Sequence, residues 1–182
     1  MIILSYVLIF FLFLIIFLTL LYFINPLFSL IPFVPVRDKI LDEIISALEL
    51  NDQSILYDLG CGDGRILFAA TKTNPSISCV GIEIGPFPFL LAKTREIFSY
   101  SKKVRILYGD FSKKDISPAT HVFLYLFPEA LDKLLPKFEK ELKTGSRIVS
   151  CDFEFSKRKP NKVIETTSTK SQKNRKLYVY DF

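Results

Sequence analysis

The run Leu56-Tyr-Asp-Leu-Gly-Cys-Gly-Asp-Gly-Arg65 is where residue type and spacing say most about chemistry. An apolar strand that carries an acid, Asp58, and runs straight into Gly-x-Gly-x-Gly brings bare backbone and a carboxylate to one point. Gly60, Gly62 and Gly64 tolerate positive φ and let a ligand approach the main chain where a Cβ would stand in the way. A helix expected over 65–73 would point its free N–H groups at the same place. The spacing matches neither the Gly-x-Gly-x-x-Gly of dinucleotide sites nor the phosphate loop that ends in Gly-Lys-Ser/Thr. Asp58 would repel a pyrophosphate, whereas it suits a cationic amino-acid group. Cys61 lies inside the loop, where a small packed thiol lining the ligand is favoured over a nucleophile.

Two further acids extend the pattern. Glu83 ends the apolar run Ser78-Cys-Val-Gly-Ile-Glu83, about 20 residues on, where a ribose diol needs an acceptor. Asp110, in Tyr108-Gly-Asp-Phe111, follows a third apolar run. One such acid would pass as a turn residue; three after successive strands point to a ligand. A cationic amino-acid end for Asp58 and a ribose diol for Glu83 are both found in S-adenosylmethionine. Asp58 with the backbone of Gly60, Cys61, Gly62 and Gly64 is expected to hold the methionine end, Glu83 the ribose hydroxyls, and Asp110 with Phe111 the adenine.

Residues 57–65, then Val80-Gly-Ile-Glu83 and Gly109-Asp-Phe111, resemble the class I (seven-strand) S-adenosylmethionine-dependent methyltransferases. Pro32-Phe-Val-Pro35, Phe127-Pro-Glu-Ala-Leu131 and Gly145-Ser-Arg-Ile-Val-Ser150 bring the likeness closer. With an apolar N-terminal segment, they resemble the membrane-anchored protein-lysine methyltransferases of the ATP synthase c subunit and the adenine nucleotide translocase, together with their prokaryotic relatives. The likeness covers residues 32–155. It implies a Rossmann-like α/β fold, a mostly parallel sheet with a C-terminal antiparallel hairpin, and a lysine acceptor on a membrane protein.

In open α/β sheets ligands bind beyond the carboxyl ends of the strands, and that rule sorts the candidates for catalysis. His121, the chain's single histidine, begins the fourth strand, ~16 Å from that edge. Tyr125, Phe127, Pro128 and Glu129 lie near it, as does Asp152 on the fifth strand. Methyl transfer asks mainly for alignment of nucleophile, methyl and sulfur. A lysine target must also lose a proton that it otherwise holds to pH ~10.4. Tyr125, Glu129 and Asp152 are the candidate acceptors, with strand packing the alternative for Tyr125 and Phe127. No metal is required.

The elements that must position these groups alternate. Strands are expected over 54–58, 77–83, 104–108, 121–126 and 147–152, and helices over 37–50, 65–73, 87–100 and 128–143. Ile40, Leu41, Ile44, Ile45 and Leu48 recur at helical spacing, as do Leu131, Leu134, Leu135, Phe138 and Leu142. Pro128 suits a first helical turn, Pro136 should kink that helix, and Gly145 suits its cap. Residues 162–168 and 176–180 read as a final strand pair with a polar turn between them. Alternation of this kind implies a parallel sheet with helices on both faces. Residues 153–161 are too short and polar for a normal helix, which should leave sheet surface for another protein or the membrane to cover.

Residues 2–24 are almost unbroken Ile, Leu, Phe and Val, interrupted only by Ser5, Tyr6, Thr19 and Tyr22, and the first charged side chain is Arg37. As a helix this stretch reaches ~35 Å, enough for a ~30 Å hydrocarbon core. It lacks the basic start and small-residue cleavage site of a signal peptide. The division expected is a transmembrane helix over 1–25, a proline-rich interfacial linker over 26–36 with Phe28 and Phe33 at the head groups, and a methyltransferase domain over 37–182. Arg37 and Lys39 follow the span and nothing basic precedes it, which places the domain on the cytoplasmic or organelle-matrix side. Cys61, Cys79 and Cys151 are odd in number and widely spaced, arguing against a disulfide framework.

The net charge of +5 falls wholly after residue 36, with Lys157, Arg158, Lys159, Lys162, Lys170, Lys173, Arg175 and Lys176 clustered late. Such a cluster is either a solvated face or an attraction to anionic lipid. Nucleic acid is not expected, because no basic and aromatic recognition motif is present and the fourth strand ends Tyr125-Leu-Phe-Pro128 rather than in an Asn/Asp-Pro-Pro-aromatic run. The leading function is methylation of lysine on membrane proteins. The alternative is a lipid or quinone-type small molecule, against which the domain's shortness argues. A non-catalytic cofactor-binding scaffold would not need the full set of cofactor acids.

Overall fold

Short apolar runs, each bounded by glycine, proline or polar residues, fold as seven strands: β1 (Ile55–Leu59), β2 (Ser78–Glu83), β3 (Val104–Tyr108), β4 (His121–Leu124), β5 (Arg147–Cys151), β6 (Lys162–Glu165) and β7 (Lys176–Asp181). They form one sheet in the order β3-β2-β1-β4-β5-β7-β6. The first five are parallel, and β7 enters antiparallel between β5 and β6. This computed structural model describes residues 2–28, 36, 38–99, 101–166 and 175–182. The expectations for Pro32, Phe33, Pro35, Arg37, Lys170, Lys173, the end of the strand expected over 162–168 and all but the last residue of the turn expected over 169–175 lie outside the described residues.

Among the described residues, five α-helices accompany the sheet: α1 (Ile2–Phe28), α2 (Leu41–Leu48), α3 (Arg65–Thr73), α4 (Pro86–Phe98) and α5 (Pro128–Glu141). Two apolar clusters mark the two sides of the sheet. One gathers Ile44 and Leu48 of α2, Leu67 and Ala70 of α3, and Ala92 of α4 with strand residues such as Leu56, Cys79 and Val149. The other gathers Leu131, Leu134, Leu135 and Phe138 of α5 with Leu59, Val122, Leu124 and Ile148. Alternating strand side chains point to opposite faces, so the near-continuous apolar runs of β1 and β4 serve both cores.

The observed bounds follow the expected ones for α3 and β3 and differ by a few residues elsewhere. The first helix runs four residues past position 24, with Pro26 in its last turn; the N–H that proline lacks removes one backbone hydrogen bond there without ending the helix. Pro136 likewise lies inside α5, which continues to Glu141. Residues 153–161 form no helix, as expected, but they do not leave the sheet bare. Phe155 is buried there, its ring edge-on to Phe138 and Tyr180, and its N–H donates to the Tyr180 hydroxyl at 3.1 Å. One large ring thus covers the surface that a helix would otherwise cover.

Candidate active site

The carboxyl ends of β1, β2 and β4 meet at the glycine loop. Gly60, Gly62 and Gly64 all have positive φ, of 82°, 56° and 77°, which L side chains adopt only at a cost. The Gly60 and Cys61 N–H groups donate to the Ile82 carbonyl at 2.9 and 3.1 Å, tying the loop to β2. Leu126 and Phe111 both crowd the place a Gly60 Cβ would occupy, at 3.4 and 3.9 Å. Leu126 after β4 and Phe111 after β3 therefore pack against the loop.

Glu83 is buried at the end of β2 and accepts from the Gly62 N–H at 2.8 Å and the Gly85 N–H at 2.6 Å. Burial raises its carboxyl above the usual range, against the pull of those donors and of Ile84. Asp58, 3% exposed, has its carboxyl pushed well up by burial, then by Glu83 and Asp63. Each of those influences opposes its charge, and among the described residues its carboxylate forms no hydrogen bond. A buried acid in that condition is short of a cation.

Asp63 carries no role in the sequence reading, yet it is the loop's clamp. It is bound by Arg65 at 2.8 Å and by Arg95 at 3.2 Å, while Arg65 also donates to the Val36 carbonyl at 2.6 Å and pairs with Asp38. Burial would raise the Asp63 carboxyl, but the Arg65 hydrogen bond and the charges of Arg95 and Arg65 carry it below its ordinary value. The signal available was an acid and a base two residues apart around Gly64. Asp110 is committed locally: it accepts from the Ser112 N–H at 2.9 Å and hydroxyl at 2.7 Å, capping a short 3-10 turn that starts at Phe111. Burial of the Cys61 thiol raises it well above its usual value, with Asp58 and Glu83 adding to that; its sulfur packs toward Gly81.

Of the candidate acceptors, the structure brings two together. One Arg175 nitrogen donates to the Tyr125 hydroxyl at 2.6 Å and to Asp152 at 2.6 Å. Phe153 stacks on Tyr125 at 6.4 Å and tilts against Phe127 at 5.5 Å. Asp152 has φ of 64°, a left-handed backbone that is uncommon outside glycine and tends to mark functional sites. Burial raises the Tyr125 phenol above its ordinary value although Arg175 opposes it, so the hydroxyl keeps its proton at neutral pH. Glu129 takes no part in this network; it is exposed in the first turn of α5. Arg175 follows a polar stretch that offered no sequence signal, because its partners stand 50 and 23 residues away. A groove of about 630 Å³ opens beside Asp152, lined also by Pro128, Phe153, Ser156, Lys157 and Lys159. His121 sits at the opposite end of β4, paired in register with Leu56 and Arg147, and burial lowers its imidazole below the usual value.

Residues 58–162 match the model of the ANTKMT methyltransferase domain. The chain is 35% identical over 156 residues to a protein-lysine N-methyltransferase of Saccharolobus islandicus, covering 82% of this chain and 92% of that protein. It is 32% identical over 136 residues to the human lysine N-methyltransferase of the ATP synthase c subunit, 73% of this chain but 56% of that one. Among solved structures, an RNA methyltransferase of Salinibacter ruber bound to S-adenosyl-L-homocysteine superposes with a TM-score of 0.72 at 32% identity, over 81% of this chain and 93% of the other.

Proposed function

The chain belongs to the ANTKMT methyltransferase domain family of S-adenosylmethionine-dependent enzymes, and on that premise we propose that it methylates lysine side chains of membrane proteins. The observation that carries the cofactor assignment is Asp58, a buried carboxylate surrounded by negative charge at a glycine loop that leaves the backbone open. The cofactor's ammonium is the cation Asp58 lacks. Glu83, already fixed by two backbone donors, keeps lone pairs for the ribose hydroxyls. Phe111 offers a ring beside Gly60 for the adenine, and Asp110 fixes the turn that presents it.

The cofactor supplies an electrophilic methyl on a sulfonium; the protein's work is to bring a neutral amine into line with it. The amine nitrogen bonds to the methyl carbon as the carbon–sulfur bond breaks, leaving a neutral thioether. Tyr125, Phe127 and Phe153 form an aromatic wall at the carboxyl end of β4, suited to the apolar stem of a lysine. Asp152 is the acceptor for the amine's proton, and Arg175 holds Asp152 and the Tyr125 hydroxyl at that wall. A lysine acceptor is supported by the two lysine methyltransferases above. A membrane substrate is supported by α1, whose stretch Ile3–Leu20 is long and apolar enough to cross a bilayer, with a mean hydropathy of 3.0.

A second reading, RNA as substrate, is favoured by the Salinibacter likeness and by Lys157, Arg158 and Lys159 around the groove. One experiment separates the readings. Membranes and total RNA from a deletion strain are incubated with the full-length enzyme and radiolabelled cofactor. Label in an integral membrane protein, resolved by mass spectrometry to a methylated lysine, is the expected outcome. Label confined to RNA or to the lipid extract overturns the lysine assignment and leaves the methyltransferase assignment standing.

A further inference from the structure

The helix α4 is apolar on both of its sides. Its inner side buries Pro88 and Ala92 against the sheet. Its outer side carries Leu90, Leu91, Ile97 and Phe98, all exposed, Ile97 at 65% and Phe98 at 80%. Positions 90, 91, 94, 97 and 98 fall on one stripe at helical spacing. The intervening Thr94 turns its hydroxyl inward to the Leu90 carbonyl at 2.8 Å, leaving the stripe without an outward polar group. An apolar stripe of this length on a soluble surface marks an interaction site.

Two observations identify what covers it. The first is continuity with α1: Tyr22, near the end of that helix, lies edge-on to Phe87 in the first turn of α4 at 6.4 Å. The exposed apolar surface of α1 thus runs on into α4. The second is charge. Lys102, Lys103 and Arg105 are exposed just beyond the end of the stripe, the arrangement of an interfacial helix that sinks its apolar side below the head groups while cations meet anionic lipid.

We propose that α4 is a second membrane contact, lying in the bilayer interface along the stripe Leu90–Leu91–Ile97–Phe98. This rests on the reading of α1 as a membrane span. It deepens that reading by fixing how the domain faces the membrane. α4 starts three residues after Glu83, at the carboxyl edge of the sheet, and α1 arrives at that same end. α4 then runs back along the sheet, so that Ile97, Phe98 and the cations Lys102, Lys103 and Arg105 lie toward its amino edge, and the flank of the domain is held against the lipid surface rather than left to swing on the linker.

The chain contains no tryptophan, so a single introduced indole reports its own surroundings. The full-length Phe98→Trp protein is reconstituted into phosphatidylcholine–phosphatidylglycerol vesicles whose lipids are brominated in the upper acyl chain. The expected result is blue-shifted indole emission that brominated lipid largely quenches. A Val163→Trp protein, altered on the exposed edge strand β6 at the other end of the sheet, should stay unquenched. Emission typical of an indole in water, from Phe98→Trp protein that resists carbonate extraction, overturns the docking of α4 while the membrane span stands. A blue shift without quenching also overturns it, because protein rather than lipid then covers the stripe. Release of the protein by carbonate overturns both.

Discussion

Asp58 and Glu83 are both buried acids held above their usual ionisation range, and they differ in what already satisfies them. Glu83 has two backbone donors; Asp58 has only other carboxylates as neighbours in charge. Binding an ammonium next to Asp58 favours its ionised form, so the carboxyl's raised value falls on binding and a proton leaves. Cofactor affinity should then rise with pH up to the free carboxyl's ionisation and level off above it. Calorimetry in buffers of different ionisation enthalpy should register that proton release, and affinity independent of pH would remove Asp58 from the ammonium site. If Glu83 holds the ribose as proposed, Glu83→Ala should remove a charge-assisted pair of hydrogen bonds, ~2–3 kcal/mol, and weaken cofactor binding by tens to hundreds of fold. At the acceptor end, Asp152→Asn keeps a side chain that tolerates the left-handed backbone while removing the proton acceptor. We expect kcat to fall by about 10²-fold or more with cofactor affinity unchanged; an unaltered rate would show Asp152 to be a partner of Arg175 and nothing else. Of these groups, the three acids and the glycines were legible because their chemistry is written at fixed spacing along the chain. Asp63 and Arg175 were not, since their partners come from other elements.

Elements lie where the apolar spacing predicts, and the errors fall at their ends and at prolines. Pro26 and Pro136 each stand inside a helix that continues. In α5 one missing hydrogen bond is outweighed by the burial of Leu131, Leu134, Leu135 and Phe138. The order of the last strands could not be derived from pattern alone: β6 and β7 are both short and partly apolar, and only the fold shows that β7 lies next to β5. Gly81 in the middle of β2 has a role that its sequence context does not announce. A Cβ there would meet the Cys61 sulfur and a Leu67 methyl at 2.7 Å and an Ile106 methyl at 2.9 Å, all in the closed core. The glycine lets α3 and the cofactor loop approach β2. Gly81→Ala should therefore destabilise the domain by about 1–3 kcal/mol, visible as a lowered melting temperature, with cofactor affinity reduced as the loop shifts. A melting temperature equal to that of the parent protein would mean that the packing here is looser than the distances imply.

At the scale of the whole molecule, the apolar helix touches the domain at Phe87 of α4, through Tyr22. The domain has its own two-sided core, and the residue that closes its N-terminal flank is Val36, buried, with its carbonyl accepting from Arg65 of the Asp63 clamp. A chain beginning at Pro35 keeps that bond and loses only α1 and the linker. It should bind S-adenosylmethionine as the full chain does, yet fail to sediment with vesicles unless α4 alone suffices. The full chain should resist carbonate extraction, with the domain cut only by protease added on the cytoplasmic or matrix side. With α1 running to Phe28 and Val36 packed in the domain, the chain between them spans ~28 Å at most, so the full enzyme should methylate membrane-embedded targets far faster than soluble ones. The shortened chain should lose most of that preference while its rate on a soluble lysine peptide stays the same. Equal preference in the two forms would place substrate choice in the groove beside Asp152 and leave the apolar helix α1 without a part in it.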